Sequence, residues 1–224
     1  MRDLSEALDI LKQQGWFSMI DERFQAALAA EARLIHHRKG EDIFHFGDPG
    51  AGLFGVVDGS LFLSYPREDG ILLPFAPLGR GFWVGDLAVL SGRPGLVSIS
   101  TQSDVIAVNI PARRVLKLVE RMPETWQAFY ELNRINIGLA LRLLAALTVE
   151  TAEKKIALRL LILSEYQADE HAWLPISNQE LAMQLGLALP TVQRAIKRLE
   201  ARGALESGYS KIRILDRAAM IPDG

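Results

Sequence analysis

Turn signals punctuate the chain about every ten residues between Ile43 and Pro111: GDPGAG, VDGS, PREDG, PLGRG and SGRPG. Short apolar runs fill the intervals, and no helix of ordinary length fits between such breaks. The segment therefore predicts a small antiparallel barrel or sandwich, with REDGILL as a hairpin turning at Asp69-Gly70. On both sides the rhythm is helical. Leu4 to Ala32 carries Leu4, Leu8 and Leu11 on one face and Phe24, Leu28 and Ala32 on another. Ala112 to Met122 predicts a short amphipathic helix that stops before Pro123.

Pro123 opens a longer helix that runs to about Val149. Trp126, Tyr130, Asn133, Ile137, Ala140, Leu144 and Leu147 form one stripe at alternating spacings of four and three. Phe129, Leu132, Asn136, Leu139, Leu143 and Ala146 form a second. A helix with two apolar stripes has two things to cover. One stripe suits the barrel. The heptad spacing suits a partner helix, and the asparagine in each stripe is the residue type that sets register in such a seam. The expectation is a two-fold helix–helix dimer through Trp126, Tyr130, Asn133, Ile137, Ala140 and Leu144. The alternative is a helix buried on two sides within one subunit. Thr148 to Glu153 is the candidate hinge, and a further helix follows from Lys154 to about Tyr166.

The segment ISNQELAMQLGLALPTVQRAIKRLEARGALES is the most specific in the chain. Ser177 is a good N-cap, and Glu180, three residues on, completes a capping box. Leu181 and Leu185 fall on one face with Ala182 toward the next helix, and Gly186 supplies the left-handed residue that closes a helix. Pro190 then starts a second helix with Val192, Ile196 and Leu199 inward and Thr191, Gln193, Arg194, Lys197 and Arg198 outward. Helix, glycine turn and helix at this spacing predict a helix-turn-helix whose second helix enters the major groove of double-stranded DNA. Ser177, Asn178 and Gln179 at the start of the first helix, and Leu189 at the start of the second, complete the candidate contact set. GALESGYSKIRIL predicts a hairpin wing. The net charge of the chain is −2, yet Leu189 to Gly203 holds four basic residues against Glu200 alone. Local charge matters more than the total for a nucleic-acid partner.

The 224 residues are enough for one large domain or two small ones, each able to bury its own core. The absence of cysteine excludes disulfides, thiolate zinc sites, all-cysteine iron–sulfur clusters and thiol redox switches. The histidines His36, His37, His45 and His171 form no ligand cluster, and His36 and His37 point opposite ways on a strand. No serine-nucleophile elbow and no phosphate-binding Walker loop is present. Asp86 is the one acid in its loop, which leaves no carboxylate pair for acid–base catalysis. The expectation is a protein that is no enzyme and has no cofactor or metal. It is expected in the cytoplasm, since no apolar run is long enough for a membrane and no secretory signal opens the chain.

GDLAVLSGRPGLVSIS, residues 85–100, has the cadence of a phosphate-holding loop in a small barrel. Its candidate pocket residues are Gly85, Asp86, Leu87, Gly95, Leu96 and Val97. Where a cation should meet the phosphate, the chain reads Gly95-Leu96-Val97.

Taken in order, these parts resemble the Crp/Fnr superfamily of bacterial regulators typified by the cyclic-AMP receptor protein. The likeness covers nearly the whole chain through FGDPGAGLFGVVDGSL, GDLAVLSGRP and TVQRAIKRLEARGAL. The resemblance implies an α+β chain. An N-terminal antiparallel β-roll of the cyclic-nucleotide-binding jelly-roll kind (1–122) leads into a long dimerisation helix and hinge (123–150). A winged helix-turn-helix follows (151–224). It also implies a homodimer on a two-fold-symmetric promoter site, with RNA polymerase as a partner. Two departures matter. Cyclic-nucleotide-binding members follow their turn with Arg-Ser, matched here by Gly95 and Leu96, and their ribose-binding Glu is matched by Asp86. A buried phosphate without a cation or donors costs several kcal/mol. The pocket then suits a small uncharged or apolar effector, or stays empty. Well-studied members also carry Arg and Glu where this chain has Leu189 and Pro190, while Arg194 is kept. DNA binding carries over and the familiar half-site does not. The competing expectation is a ligand-binding or protein-interaction module whose motif has lost sequence specificity.

Overall fold

The computed structural model describes residues 3–66, 72–165 and 171–221. The chain divides into two compact units, Met1–Ile137 and Gly138–Gly224. The division falls inside the long helix rather than at either of its ends.

The first unit opens with two helices, not one continuous helical stretch. Helix α1 (Leu4–Leu11) is capped by Asp3, and α2 (Glu22–Glu31) by Asp21, which accepts from the Phe24 N–H. Between them Trp16 and Phe17 turn into the core. The strands begin earlier than the turn pattern marks, at β1 (Arg33–His37), followed by β2 (Asp42–Phe44), with His45 just beyond its end. Next come β3 (Gly52–Asp58), β4 (Leu61–Pro66), β5 (Leu72–Leu78) and β6 (Trp83–Val84). Helix α3 (Asp86–Ser91), β7 (Ser98–Thr101) and β8 (Val105–Pro111) complete the roll. Among the described residues the strands form two four-stranded antiparallel sheets, ordered β1-β8-β3-β6 and β2-β7-β4-β5. β4 and β5 pair as expected, and the tip at Asp69-Gly70 lies outside the described residues.

Helix α4 (Ala112–Arg121) and a single 3-10 turn at Pro123–Thr125 lead into α5 (Trp126–Thr148). The core is an aromatic box. Trp16 stacks on Phe129 at 5.6 Å and meets Trp83 edge-on at 5.4 Å, while Phe24 meets Phe129 edge-on at 5.5 Å. The Trp16 indole donates to the Ala128 carbonyl at 2.7 Å, so its polar edge is satisfied inside the box. Leu11, Leu53, Val108, Leu118 and Leu132 extend this core.

The second unit holds α6 (Ala152–Ser164), α7 (Asn178–Leu185), α8 (Leu189–Ala201), a hairpin of β9 (Leu205–Gly208) and β10 (Lys211–Ile214), and α9 (Arg217–Met220). α6 ends before Tyr166, and the polar stretch after it lies outside the described residues as far as Glu170.

The two stripes of α5 separate cleanly. Phe129, Leu132, Leu139 and Ala146 are buried. Asn136 of that stripe bonds the Trp83 carbonyl at 3.2 Å, so it serves the roll and not a helix seam. Phe129→Ala should cost about 3–5 kcal/mol of unfolding free energy in denaturant titrations. A loss below about 1 kcal/mol would mean that the box does not hold α5.

Candidate nucleic-acid interface and effector pocket

Helix α7 begins where the capping box sets it. The Ser177 hydroxyl accepts from the Glu180 N–H at 3.1 Å, and the Glu180 carboxylate accepts from the Ser177 N–H at 2.7 Å. Asn178 is half-buried and Gln179 exposed on its first turn. Gly186 closes the helix at φ +62°, a conformation that glycine adopts without steric cost, and the Leu187 N–H reaches back to the Ala182 carbonyl. Two residues later α8 starts, with Leu189 and Pro190 in its first turn.

Burial sorts α8 into two faces. Val192, Ala195, Ile196 and Leu199 are buried, whereas Leu189, Gln193, Arg194, Lys197 and Arg198 are exposed. Thr191 is half-buried, and its hydroxyl accepts from the Arg194 guanidinium at 3.3 Å, which steers the one arginine kept near the start of the helix. The exposed set carries three cations and an amide, the donors that meet phosphates and the acceptor edges of guanine.

Three supports of α8 and α7 were not legible in the motif. Glu200 accepts from both the Ser207 N–H at 3.0 Å and its hydroxyl at 2.6 Å, tying the far end of α8 to the wing. Glu153, in the first turn of α6, pairs with Arg202 and lies 4.0 Å from Arg198. Arg159 is buried and donates to the Gln184 side chain at 2.9 and 2.6 Å, joining α6 to α7. Burial pulls the Arg159 guanidinium down to about 10, so it stays charged at neutral pH. Glu200 stood out in the sequence as the lone acid of a basic stretch, which was the available signal for its role. On the wing, Lys211 and Arg213 lie 4.4 and 4.8 Å over the Trp173 ring.

The six pocket candidates do not form one lining. The loop GDLAVLS is helical from Asp86 to Ser91. Gly85 precedes it at φ +105°, and a Cβ there would sit 2.1 Å from the Gly52 carbonyl oxygen, so only glycine fits. Asp86 is 3% exposed. Burial raises its carboxyl from 3.8 to about 6, against the pull of hydrogen bonds from the Asp86 and Leu87 N–H groups. Leu87 points out, and Leu96 is 60% exposed, so Leu96 lies on the surface and not in the pocket for which it was a candidate. Val97 is half-buried. The physical reason is a backbone clasp between two loops. The Gly95 N–H donates to the Asp48 carbonyl at 2.8 Å, and the Gly47 N–H to the Gly95 carbonyl at 2.9 Å. Both polar groups of Gly95 are engaged, and its neighbour is turned outward. Arg93 is exposed, with its N–H on the Ser91 hydroxyl. No cation stands among the six residues.

A Crp-like helix-turn-helix domain matches residues 154–221, and a cyclic nucleotide-binding domain matches residues 34–122. The chain belongs to the Crp/Fnr family. It carries the helix-turn-helix DNA-binding domain of these transcriptional regulators, and its relatives are regulators rather than enzymes. The transcriptional activator protein FnrA of Stutzerimonas stutzeri is 28% identical over 189 residues, spanning 80% of this chain and 75% of that one. A CRP-like cAMP-activated global transcriptional regulator of Mycobacterium tuberculosis is 22% identical over 213 residues, spanning 93% of this chain and 95% of that one. The structure of FixK2 from Bradyrhizobium japonicum superposes with a TM-score of 0.73 at 22% identity, covering 84% of this chain and 95% of that one, a likeness of fold. Among the described residues of this Crp/Fnr chain, no helix is long and apolar enough to cross a membrane, and no group of metal-ligating side chains gathers.

Asp86 makes stability depend on pH. Its folded pKa of about 6 lies above its ordinary value, so the folded chain holds more protons than the unfolded one between about pH 4 and pH 6. Unfolding free energy therefore falls as pH rises through that window. Asp86→Asn should raise Tm relative to the parent at about pH 7.5 and change it little at about pH 4. Equal shifts at both pH values would show that burial does not hold the carboxyl neutral.

Proposed function

We propose that this chain is a homodimeric, sequence-reading transcriptional regulator of the cytoplasm that works without a cyclic nucleotide. The observation that carries the reading is the outer stripe of α5. Tyr130 is 75% exposed, Ile137 51% and Leu144 60%, with Trp126 and Ala140 also exposed and Asn133 half-buried among them. An apolar stripe at heptad spacing needs a cover, and a second copy of the same helix is one related by two-fold symmetry. Two copies carry two α8 helices. To enter successive major grooves these must stand roughly 34 Å apart. The proposed control is a two-state hinge at Thr148 to Glu153 that sets this separation, with RNA polymerase as the partner that senses the bound dimer.

The proposed readout divides by chemistry. Arg194, steered by Thr191, reads a guanine edge, and Leu189 offers a contact to a thymine methyl. Gln193, Lys197 and Arg198, with Ser177, Asn178 and Gln179, hold the phosphate backbone. The effector, where one is used, is small and uncharged or apolar. The departures at Gly95 and Leu96, which leave no cation to meet a phosphate, support that part of the reading.

Substituting Ile137→Glu with Leu144→Glu should convert the protein from dimer to monomer in sedimentation velocity, with an unchanged far-ultraviolet spectrum. Affinity for a selected DNA site should fall together with the dimer. A parent chain that is monomeric at micromolar concentration, or a variant that stays dimeric, would contradict the seam. Separately, calorimetric titration with cyclic AMP or cyclic GMP should give no saturable heat at micromolar concentrations, and a clear isotherm would restore the nucleotide.

A further inference from the structure

At the end of α8 farthest from its reading residues, an ion pair on the outer side accompanies the buried contacts of Leu199. The first turn of α6 and the second half of α8 leave a cleft of about 270 Å³, lined by Thr151, Glu153, Lys154, Arg198, Arg202 and Met220 among others. Three of these side chains are cations, and Glu153 is the one carboxylate in the lining. It is well shielded, at 15% exposure of its side chain. One of its oxygens pairs with Arg202 and the other lies 4.0 Å from Arg198. The arginines are far more exposed than the acid, Arg202 at 43% and Arg198 at 71% of their side chains, so they are open to a solvent-borne anion while Glu153 is shielded.

Arg194, Arg198 and Arg202 recur every four residues and so form one row along α8. Their positions give them different work. Reading helices contact base edges with their N-terminal residues, and there Arg194 donates to the Thr191 hydroxyl. Cations further along the helix can reach only phosphates, and phosphate contacts add affinity without sequence preference. Glu153 occupies that half of the row. We infer that Glu153 is a specificity-determining residue: its carboxylate competes with DNA phosphate for Arg198 and Arg202 and so restrains binding to unselected DNA. The inference rests on the DNA-reading function proposed above and adds a named device to it. Removing the acid leaves Lys154, Arg198 and Arg202 around one cleft with no anion, and mutual repulsion drives the two long arginines outward.

The test is Glu153→Gln in the full chain, measured on random-sequence duplex and on a site selected by the parent protein, across a salt series. Affinity for random duplex should rise about threefold to tenfold, and the log–log salt slope should steepen by about one to two. The ratio of selected-site to random affinity should fall. Tm should move by no more than a few degrees, because both arginines stay open to solvent and Gln keeps the shape of the shielded side chain. In an Arg198→Met, Arg202→Met background the same substitution should leave the slope unchanged. Unchanged affinity and slope would overturn the inference. So would a parallel loss of both affinities with a lowered Tm, the mark of a merely structural residue, or a slope change that persists without the two arginines. A parent chain with no DNA affinity at all would instead overturn the regulatory reading on which the inference stands.

Discussion

The phase of one helix governs what this chain can present. Phe129 is clamped between Trp16 and Phe24, and the Trp16 indole is bonded to the carbonyl of the neighbouring residue, Ala128. Those contacts fix the rotation of α5 about its own axis. With Phe129 and Leu132 inward, a helix of 3.6 residues per turn must turn Tyr130, Ile137 and Leu144 outward. The same rotation carries Asn136 to the Trp83 carbonyl and leaves Asn133 on the outer stripe. The seam available to a second copy is thus decided by an aromatic box formed largely by residues distant in sequence.

Control of charge does comparable work at α8. A basic helix is an unselective binder unless its cations are sorted, because every base pair offers the same phosphates. Sorting here is local and polar. Thr191 orients Arg194, Glu200 holds the wing, and Glu153 occupies the distal arginines. The α7 capping box fixes the helix that precedes it. Each of these acids looks unfavourable in a count of DNA-binding charge, yet each has a defined partner.

Much of this was legible in the chain. Short-range chemistry was read most faithfully: Ser177, Glu180 and Gly186 gave α7 its bounds because caps and left-handed closures act within a few residues. The period-seven stripes of α5 were legible too, and the stripe expected at a partner helix is the exposed one; the contact that fixes this phase was not legible, since Trp16 bonds a residue 112 positions away. The helical stretch at the start of the chain broke in two because Trp16 and Phe17 were needed in the core. Helix α3 was hidden by the glycine and proline that flank it, which made the segment read as loop. Leu96 was expected at the pocket because it stands where the resembled family carries a phosphate-binding residue. The clasp between Gly95 and the loop at Gly47 and Asp48 turned it outward, and backbone hydrogen bonds between distant loops leave no mark in composition. The Arg159–Gln184 and Glu153–Arg202 pairs join side chains of helices far apart in sequence, which composition and spacing do not pair.

The central claim is that two copies of α8, brought together through the outer stripe of α5, read DNA as a symmetric pair. Selection of bound duplexes from a random pool tests it most directly, because it requires neither a known operator nor an effector. The account predicts an inverted repeat whose half-sites lie about 10 base pairs apart, centre to centre, or a whole number of helical turns, with a guanine at the position matched to Arg194. A single unrepeated motif, or no enrichment over the starting pool, would contradict it.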